Sequence, residues 1–400
     1  MNYIVKYRTV GGNVNGDFSQ AANYGGWGGY NLAGRYNTGK SMLNAVVNWE
    51  RRDNDWIREN EETYHFPDRT VTNREVGEKT PFKYDQVKTS LRYVWQDADK
   101  QMLSVNFRHY HKDEPNALSD RNSILYQDGR EYHIFDNATT RLDIPSLDIY
   151  YQLNLPRKQN LYFDVVGSYL DSRNNHSYRM SHGDMVVDAF ESDIDGRKWS
   201  LFAEGIYERE FGFGKVSGGV RQSQEWMKNL YSGTEGREVR MNSSQTNMYV
   251  ELQSRIRQLN YSVGLGALRT NSSQDGRNLE KYIFNPRLNF SWGGVRGLFL
   301  RFYGEISGYA PSLAYLSSVT RQIDAYQLRR GNPNLKTVTY YSAQFMANWD
   351  FCKFMGIGSI AIYNYDHRPV MEQDVAEDNL IVRTVDNQRG FHRLNWHTWL

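Results

Sequence analysis

Residues Ser146–Leu170 read SLDIYYQLNLPRKQNLYFDVVGSYL, and the fold turns on how this stretch is read. Leu147, Ile149, Tyr151, Leu153 and Leu155 occupy every second position, with Asp148, Tyr150, Gln152 and Asn154 between them. The polar turn Pro156-Arg157-Lys158-Gln159 follows, and Leu161, Phe163, Val165, Gly167 and Tyr169 resume the apolar row. Alternation of period two puts one row on each face of a strand. The stretch is therefore a hairpin of two strands of about ten residues, each with one apolar and one polar face.

The same unit repeats in both directions. The first strand is expected near Gly12–Ala21 and the sixteenth near Arg389–Leu400. Between them, short turns are expected near Asn37–Lys40, Gln96–Lys100, Pro156–Gln159, Phe211–Gly214, Arg257–Asn260, Trp292–Gly297 and Asp350–Phe354. Gly39 and the pair Gly293-Gly294 supply the positive φ that tight turns need. Long connections near 53–83, 114–143, 174–197, 228–243, 273–281, 308–335 and 367–387 separate the hairpins and hold most of the prolines. The stretch Met180–Ile194 is apolar enough to continue its strands, and Pro286 is expected to mark a bulge or a lost ladder bond. Short turns on one side and long loops on the other are the signature of an all-β, antiparallel transmembrane β-barrel, here of about sixteen strands. In bacterial barrels the short turns face the periplasm and the long loops face outside. A soluble propeller or sandwich is the rival, but its strands usually run only about five to six residues.

Composition agrees. The 400 residues include 29 Tyr and 10 Trp, enough for aromatic girdles. The mean hydropathy of −0.73 is low. No run of roughly 18 apolar residues exists, which excludes a helical bundle but not a barrel with a wet lumen. A net charge of +2 gives no reason to expect nucleic acid as a partner. The single cysteine, Cys352, excludes an intrachain disulfide and a Cys-rich metal site.

Strand parity assigns the faces. Leu298, Leu300, Phe302, Gly304 and Ile306 oppose Arg301, Tyr303, Glu305 and Ser307. Met248, Val250, Leu252 and Ile256 oppose Tyr249, Glu251, Gln253 and Arg255. The polar faces carry both signs, as a hydrated lumen with cross-strand ion pairs would.

No catalytic constellation emerges. Glu204 and Glu208 lie about 13 Å apart along an extended strand, too far for glycoside hydrolysis, and read as lumen charges. Gly264-Leu265-Gly266 and Gly212-Phe213-Gly214 lack the strand–GxGxxG–helix context of a phosphate loop. His109, His111 and Asp113 share a face with metal-ligand chemistry, but His109 also shares parity with Leu103, Val105 and Phe107, as in an interfacial belt. The expectation is no metal, no cofactor and no enzyme activity. Candidate ligand-capture residues are aromatics and charges in two long loops: Trp56, Arg58 and Tyr64, and Arg321, Asp324, Tyr326, Arg329 and Arg330.

Two stretches carry a family resemblance. Ile306-Ser307-Gly308-Tyr309-Ala310-Pro311-Ser312-Leu313 precedes a long loop, which ends in Gly331-Asn332-Pro333-Asn334-Leu335-Lys336 and runs into a strand. This resembles TonB-dependent outer-membrane receptors, in tone the Bacteroidetes type. Asn2-Tyr3-Ile4-Val5-Lys6 before a Gly-rich strand is similar to the junction between that family's plug and barrel. The resemblance implies a barrel of about 22 strands in the cell outer membrane, with an N-terminal plug, importing a scarce nutrient. Residues 1–10 would then be the plug remnant and residues 11–400 the barrel, its C-terminal strands missing. The partners implied are outer-membrane lipid, the TonB system through a plug this chain lacks, and a surface lipoprotein. Met1–Lys6 shows no signal peptide, and the chain stops in strand-like sequence, so an incomplete piece of a longer precursor is expected. The alternatives are a passive porin or structural outer-membrane barrel and, from another class, a soluble β-rich enzyme.

Overall fold

The computed structural model describes residues 10–21, 26–66, 68–97, 99–233, 236–274, 276–378 and 380–400. Residues 1–9, expected to hold most of the plug junction, lie outside the described residues. The chain begins with β1 (Gly11–Gln20), β2 (Gly28–Thr38) and β3 (Ser41–Trp56). A hairpin of β4 (Glu59–His65) and β5 (Thr70–Gly77) leads to β6 (Thr80–Asp97), β7 (Gln101–Asn116) and the short β8 (Arg121–Gln127). The longest strands follow: β9 (Arg130–Leu155), β10 (Gln159–His182), β11 (Met185–Phe211), β12 (Gly214–Gly233) and β13 (Arg237–Ile256). Next come β14 (Leu259–Gln274), β15 (Arg277–Phe284), β16 (Arg287–Val295) and β17 (Leu298–Tyr309). A single helical turn, α1 (Leu313–Leu316), precedes β18 (Thr320–Gln322) and β19 (Gln327–Arg330). The chain closes with β20 (Val338–Trp349), β21 (Ile357–His367), β22 (Val370–Glu377), β23 (Leu380–Asn387) and β24 (Phe391–Trp399).

Sixteen of these strands form one antiparallel β-barrel wall in the order β1, β2, β3, β6, β7, β9, β10, β11, β12, β13, β14, β16, β17, β20, β21 and β24. Every expected short turn falls between two of them. Gly39 has φ +58° as its turn requires. The glycine pair does not: Gly293 and Gly294 lie inside β16, and the turn glycine is Gly297, at φ +78°. A Cβ there would meet the Asp350 carbonyl oxygen at 2.1 Å, so only glycine fits. Pro286 makes no bulge. Ala267 opposes Phe284 and Gly264 opposes Arg287 in one register, so the proline costs the ladder a bond and nothing more.

The long connections are more regular than loops. At one end of the wall, called the loop side here, β9, β10 and β11 run on as continuous strands past the wall's apolar band. The apolar alternation through Met180–Ile194 continues the hairpin, as expected. The hairpin β4–β5 and strand β8 pair edge to edge and join the extension of β9. Among the described residues, β1 and β24 pair on one side only, and not with each other.

The two faces of the wall follow from parity. Val105, Ile149, Val165 and Ala203 oppose one another in one row, and Phe107, Leu147 and Gly167 in the next. Their large side chains are exposed and point outward: Val165 is 40% exposed and Leu147 42%. Along β11 the outward row runs from Trp199, packed 4.5 Å from Tyr169, to Tyr207. Eight residues of strand span roughly 26 Å, about the height of the apolar band of a membrane barrel. Beyond Trp199 the outward positions turn charged, with Arg173 and Asp195 3.8 Å apart.

The opposite face is a hydrogen-bonded polar surface. Arg221 forks onto Glu204 (3.0 and 3.3 Å), and Lys215 reaches Glu208 (2.9 Å). Arg287 lies 3.4 Å from Glu305. These pairs account for the two carboxylates as inner-wall charges. Near the short turns this face opens into a polar concavity of about 740 Å³, lined by Glu210, Lys215, Glu251, Arg255, Arg287 and Tyr303 among others.

If the outward row faces hydrocarbon, Val165→Arg in the full-length protein refolded into lipid vesicles should lose about 2–4 kcal/mol of unfolding free energy. Ser262→Arg, on the inner wall beside Glu251, should change it by less than about 1 kcal/mol. Equal losses in urea titrations would overturn the assignment of faces.

Candidate functional site

The mouth of the wall on the loop side is crossed by a small separate sheet. Strands β18, β19, β23 and β22 pair in that order and come from two different long connections. The β19–β23 pair is parallel and the other two pairs are antiparallel. One end of this lid is anchored by apolar packing. Leu313, Leu316, Val319, Leu335 and Val385 bury against Tyr231, Val239 and Met241 on the inner face of β12 and β13. Burying side chains of this size contributes roughly 1.5–3 kcal/mol each. Lys281 of β15 donates to the Thr339 hydroxyl (2.7 Å) and steadies the return to β20.

The other end is held by polar contacts to the opposite side of the mouth. The Gln327 amide donates to the Tyr64 hydroxyl (2.8 Å) and to Asp324 (2.7 Å). Asp324 also accepts the Tyr326 backbone N–H (2.8 Å), and the Tyr326 hydroxyl donates to Gln127 (2.6 Å). The rings of Tyr64 and Tyr326 stack with centroids 5.6 Å apart. Tyr64 donates to Glu62, and Gln322 reaches Asp188 (2.8 Å). In a flat sheet, β3 and β17 would stand ten strand spacings apart, roughly 48 Å. The tip reaches Tyr64 because the wall rolls up.

Beneath the tip lies a buried charge network. Arg121 of β8 bridges Glu75 (3.0 Å) and Asp136 (2.6 Å), and Asp136 meets His176 at 2.6 Å. Burial opposes ionisation of Asp136, but the bonds from His176 and Arg121 hold its carboxyl below the ordinary range. Burial pushes Asp324 the other way, upward, because its backbone bonds and the more distant Arg121 do not compensate. Burial raises Tyr64 and Tyr178 as well. The space enclosed by Asn73, Arg121, Tyr178, Asp324 and their neighbours is only about 20 Å³, room for one water. This is a latch, not a ligand pocket.

The eight residues picked from the sequence divide accordingly. Tyr64, Asp324 and Tyr326 come together in the latch, although they come from connections more than 250 residues apart. Trp56 and Arg58 pair with each other, the guanidinium 4.9 Å from the ring, and Arg58 donates to the Leu118 carbonyl (2.6 Å). Arg321 and Arg329 oppose each other across β18–β19. Arg330 is on the other face, paired with Glu377 (2.8 Å). His109 and His111 do not meet Asp113. They share Asp143 of β9 instead, at 3.4 and 2.9 Å, because neighbouring strands bring closer groups together than one strand does. No group of three His, Cys, Asp or Glu side chains placed to hold a metal exists among the described residues. Sequence reading missed Arg121, Gln127 and Gln327. They lie on short strands whose same-face neighbours are largely polar, Ser123 beside Arg121 and Arg329 beside Gln327, so nothing local marks them.

No family model matches the chain, and no curated protein matches it in sequence. Solved structures do match. The Serratia marcescens hemophore receptor HasR, as a double mutant with its hemophore HasA and heme, shares 11% identity at a TM-score of 0.61 over 97% of this chain and 60% of that one. The copper transporter OprC shares 10% identity at 0.65, over 98% and 59%. A mutant of the Pseudomonas aeruginosa ferric enterobactin receptor PfeA shares 12% at 0.62, over 96% and 58%. The wall therefore has the fold of TonB-dependent receptor barrels. The chain spans about 60% of the length of these structures.

The latch gives two expected outcomes. Gln327→Ala leaves Asp324 and Tyr64 buried without a shared donor, and should lower the closing free energy of the lid by about 1–3 kcal/mol. Amide exchange over residues 318–332 reads this loss. Asp324 holds its proton more tightly when the lid is closed, so its buried charge is a penalty at neutral pH that protonation removes. Exchange at 324–327, corrected for intrinsic rates, should slow as the pH falls from neutral toward the ordinary carboxyl pKa of about 4. Asp324→Asn should flatten that dependence. Below that window Asp136 acts oppositely: its contribution is present above the ordinary carboxyl pKa of about 4 and is lost as pH falls through its lowered value.

Proposed function

We propose that this chain is the barrel of an outer-membrane receptor of the TonB-dependent kind, which takes up a scarce nutrient. The observation that carries the reading is the likeness of nearly the whole chain to such barrels, with a lid folded across the loop side of the wall. Those structures are receptors and transporters, which supports uptake over catalysis. They are named for a hemophore with heme, for copper and for ferric enterobactin, a range of ligands held by one barrel fold. In this reading the outward row meets outer-membrane lipid, the long strands extend outside the cell, and a surface lipoprotein can dock on them. Coupling to TonB runs through a plug, with residues 1–10 as its junction and residues 11–400 as the barrel part. Among the described residues β1 and β24 each pair on one side and not with each other, which fits a wider barrel of about 22 strands. A passive sixteen-stranded porin would instead pair β1 with β24.

The reading is tested by topology and by energy dependence. A peptide tag in the turn at Gly183-Asp184 should be reached by antibody on intact cells. A tag at Asp99, in a short turn, should be reached only after permeabilisation. The reverse pattern refutes the orientation. A plug and TonB-binding segment encoded directly upstream, with uptake abolished by a protonophore, is expected of the receptor. A signal peptide joined directly to β1, with uptake indifferent to the protonophore, would make the chain a porin.

A further inference from the structure

The lid sheet carries a row of like charges that folding alone does not explain. Arg321 opposes Arg329 across β18–β19, and Arg329 opposes Arg383 across the parallel β19–β23 pair. Directly opposed residues share a face of the sheet, and neighbouring strands lie about 4.8 Å apart. Three guanidinium-bearing residues thus stand in a line about 10 Å long, and all three are exposed. Beyond Arg383 the row ends at Asp374 of β22. Only Arg329 has an acidic partner within ion-pair distance, Glu372 at 3.4 Å, and that contact is exposed on both sides. Arg321 and Arg383 make no ion pair among the described residues.

Like charges placed directly opposite each other destabilise a sheet. The other face of the same sheet shows the ordinary solution, since Arg330 is matched by Glu377. A guanidinium presents a planar fork of donors suited to two-point contact with carboxylate or phosphate. We propose that Arg321, Arg329 and Arg383 form an anion ladder that binds a small solute carrying two or three carboxylate or phosphate groups. Groups spaced about 5 Å apart match the strand spacing. Glu372 and Asp374 bound the ladder at the β22 side and repel a longer polyanion. The inference deepens the uptake reading, on which it rests for its meaning in the cell: the ladder defines the charge class of what the lid admits.

The experiment uses the protein extracted in detergent from the cells that make it. Calorimetric titration with pyrophosphate and with tricarballylate is compared with acetate and chloride. At least one of the two multivalent anions should bind, more weakly as salt rises, while acetate and chloride should not compete at equal concentration. Preference for pyrophosphate or for tricarballylate assigns the anionic group as phosphate or carboxylate. Arg321→Gln combined with Arg383→Gln should weaken binding by about tenfold or more, and the matching Lys variants should retain part of it. Arg173→Gln, an exposed arginine on the outward face, should bind as the unaltered protein does. A ligand-induced rise in melting temperature, present in the unaltered protein and absent from the double Gln variant, gives a second readout. Should the double variant fail to fold, Arg383→Gln alone, at an exposed position, reads the same loss. Absence of multivalent-anion binding to the folded protein, or equal binding by the Gln variants, overturns the ladder. Neither result touches the tag positions or protonophore response that decide the uptake reading.

Discussion

In a wall one strand thick, a backbone N–H or C=O inside the sheet finds its partner on an adjacent strand or leaves it unmet. All else in this molecule depends on that ladder. It leaves each side chain two choices, outward or inward, and register alone decides between them. The row from Val105 through Ile149 and Val165 to Ala203 keeps its parity across four strands. The irregularities at Lys83/Asp85, Met180/Ser181 and Trp292/Val295 lie toward the strand ends, away from this row. A slip of one residue inside the band would turn the apolar row inward and carry Glu204 and Glu208 to the outward face.

Among the described residues no second layer packs against the wall, and the two buried apolar clusters lie on the loop side. One forms where the lid meets β12 and β13, and the other where Leu125, Ile134, Tyr178 and Met180 pack under Ala325. Ordinary globular packing is thus confined to the mouth, where water competes with protein contacts and burial stabilises. The lid joins the two clusters. Its anchored end is apolar and its tip is polar, so the tip is the weaker attachment.

The wall was legible in the sequence because its code is local. Leu147–Tyr169 states the parity and the turn within 23 consecutive positions, and each short turn is a local event. The mouth was not legible. Tyr64 and Tyr326 stand out as loop aromatics, but nothing near either says that they stack. Gly293-Gly294 misled for the same reason, since two glycines look like a turn until the pairing shows them as an irregularity within β16, between Trp292 and Val295, just before the turn. The strands β8, β18 and β19 are three to seven residues long and have too few alternations to declare themselves. Arg383 sits in an ordinary strand, Leu380–Asn387, and acquires its neighbours only from another loop.

The parallel pairing of β19 with β23 ties together two connections that the chain makes separately. No hairpin turn sets that register, because parallel strands cannot be joined by one. It is set by the lengths of four connecting segments, measured from β17, β20, β21 and β24. A single residue inserted in one of them would slide β23 past β19 by one step and carry Arg383 to the far side of the sheet. The two connections can therefore vary in length only in concert. Divergence in this region should come as paired insertions and deletions, while the long β10–β11 extension, whose register is set by its own turn at Gly183, is free to lengthen alone.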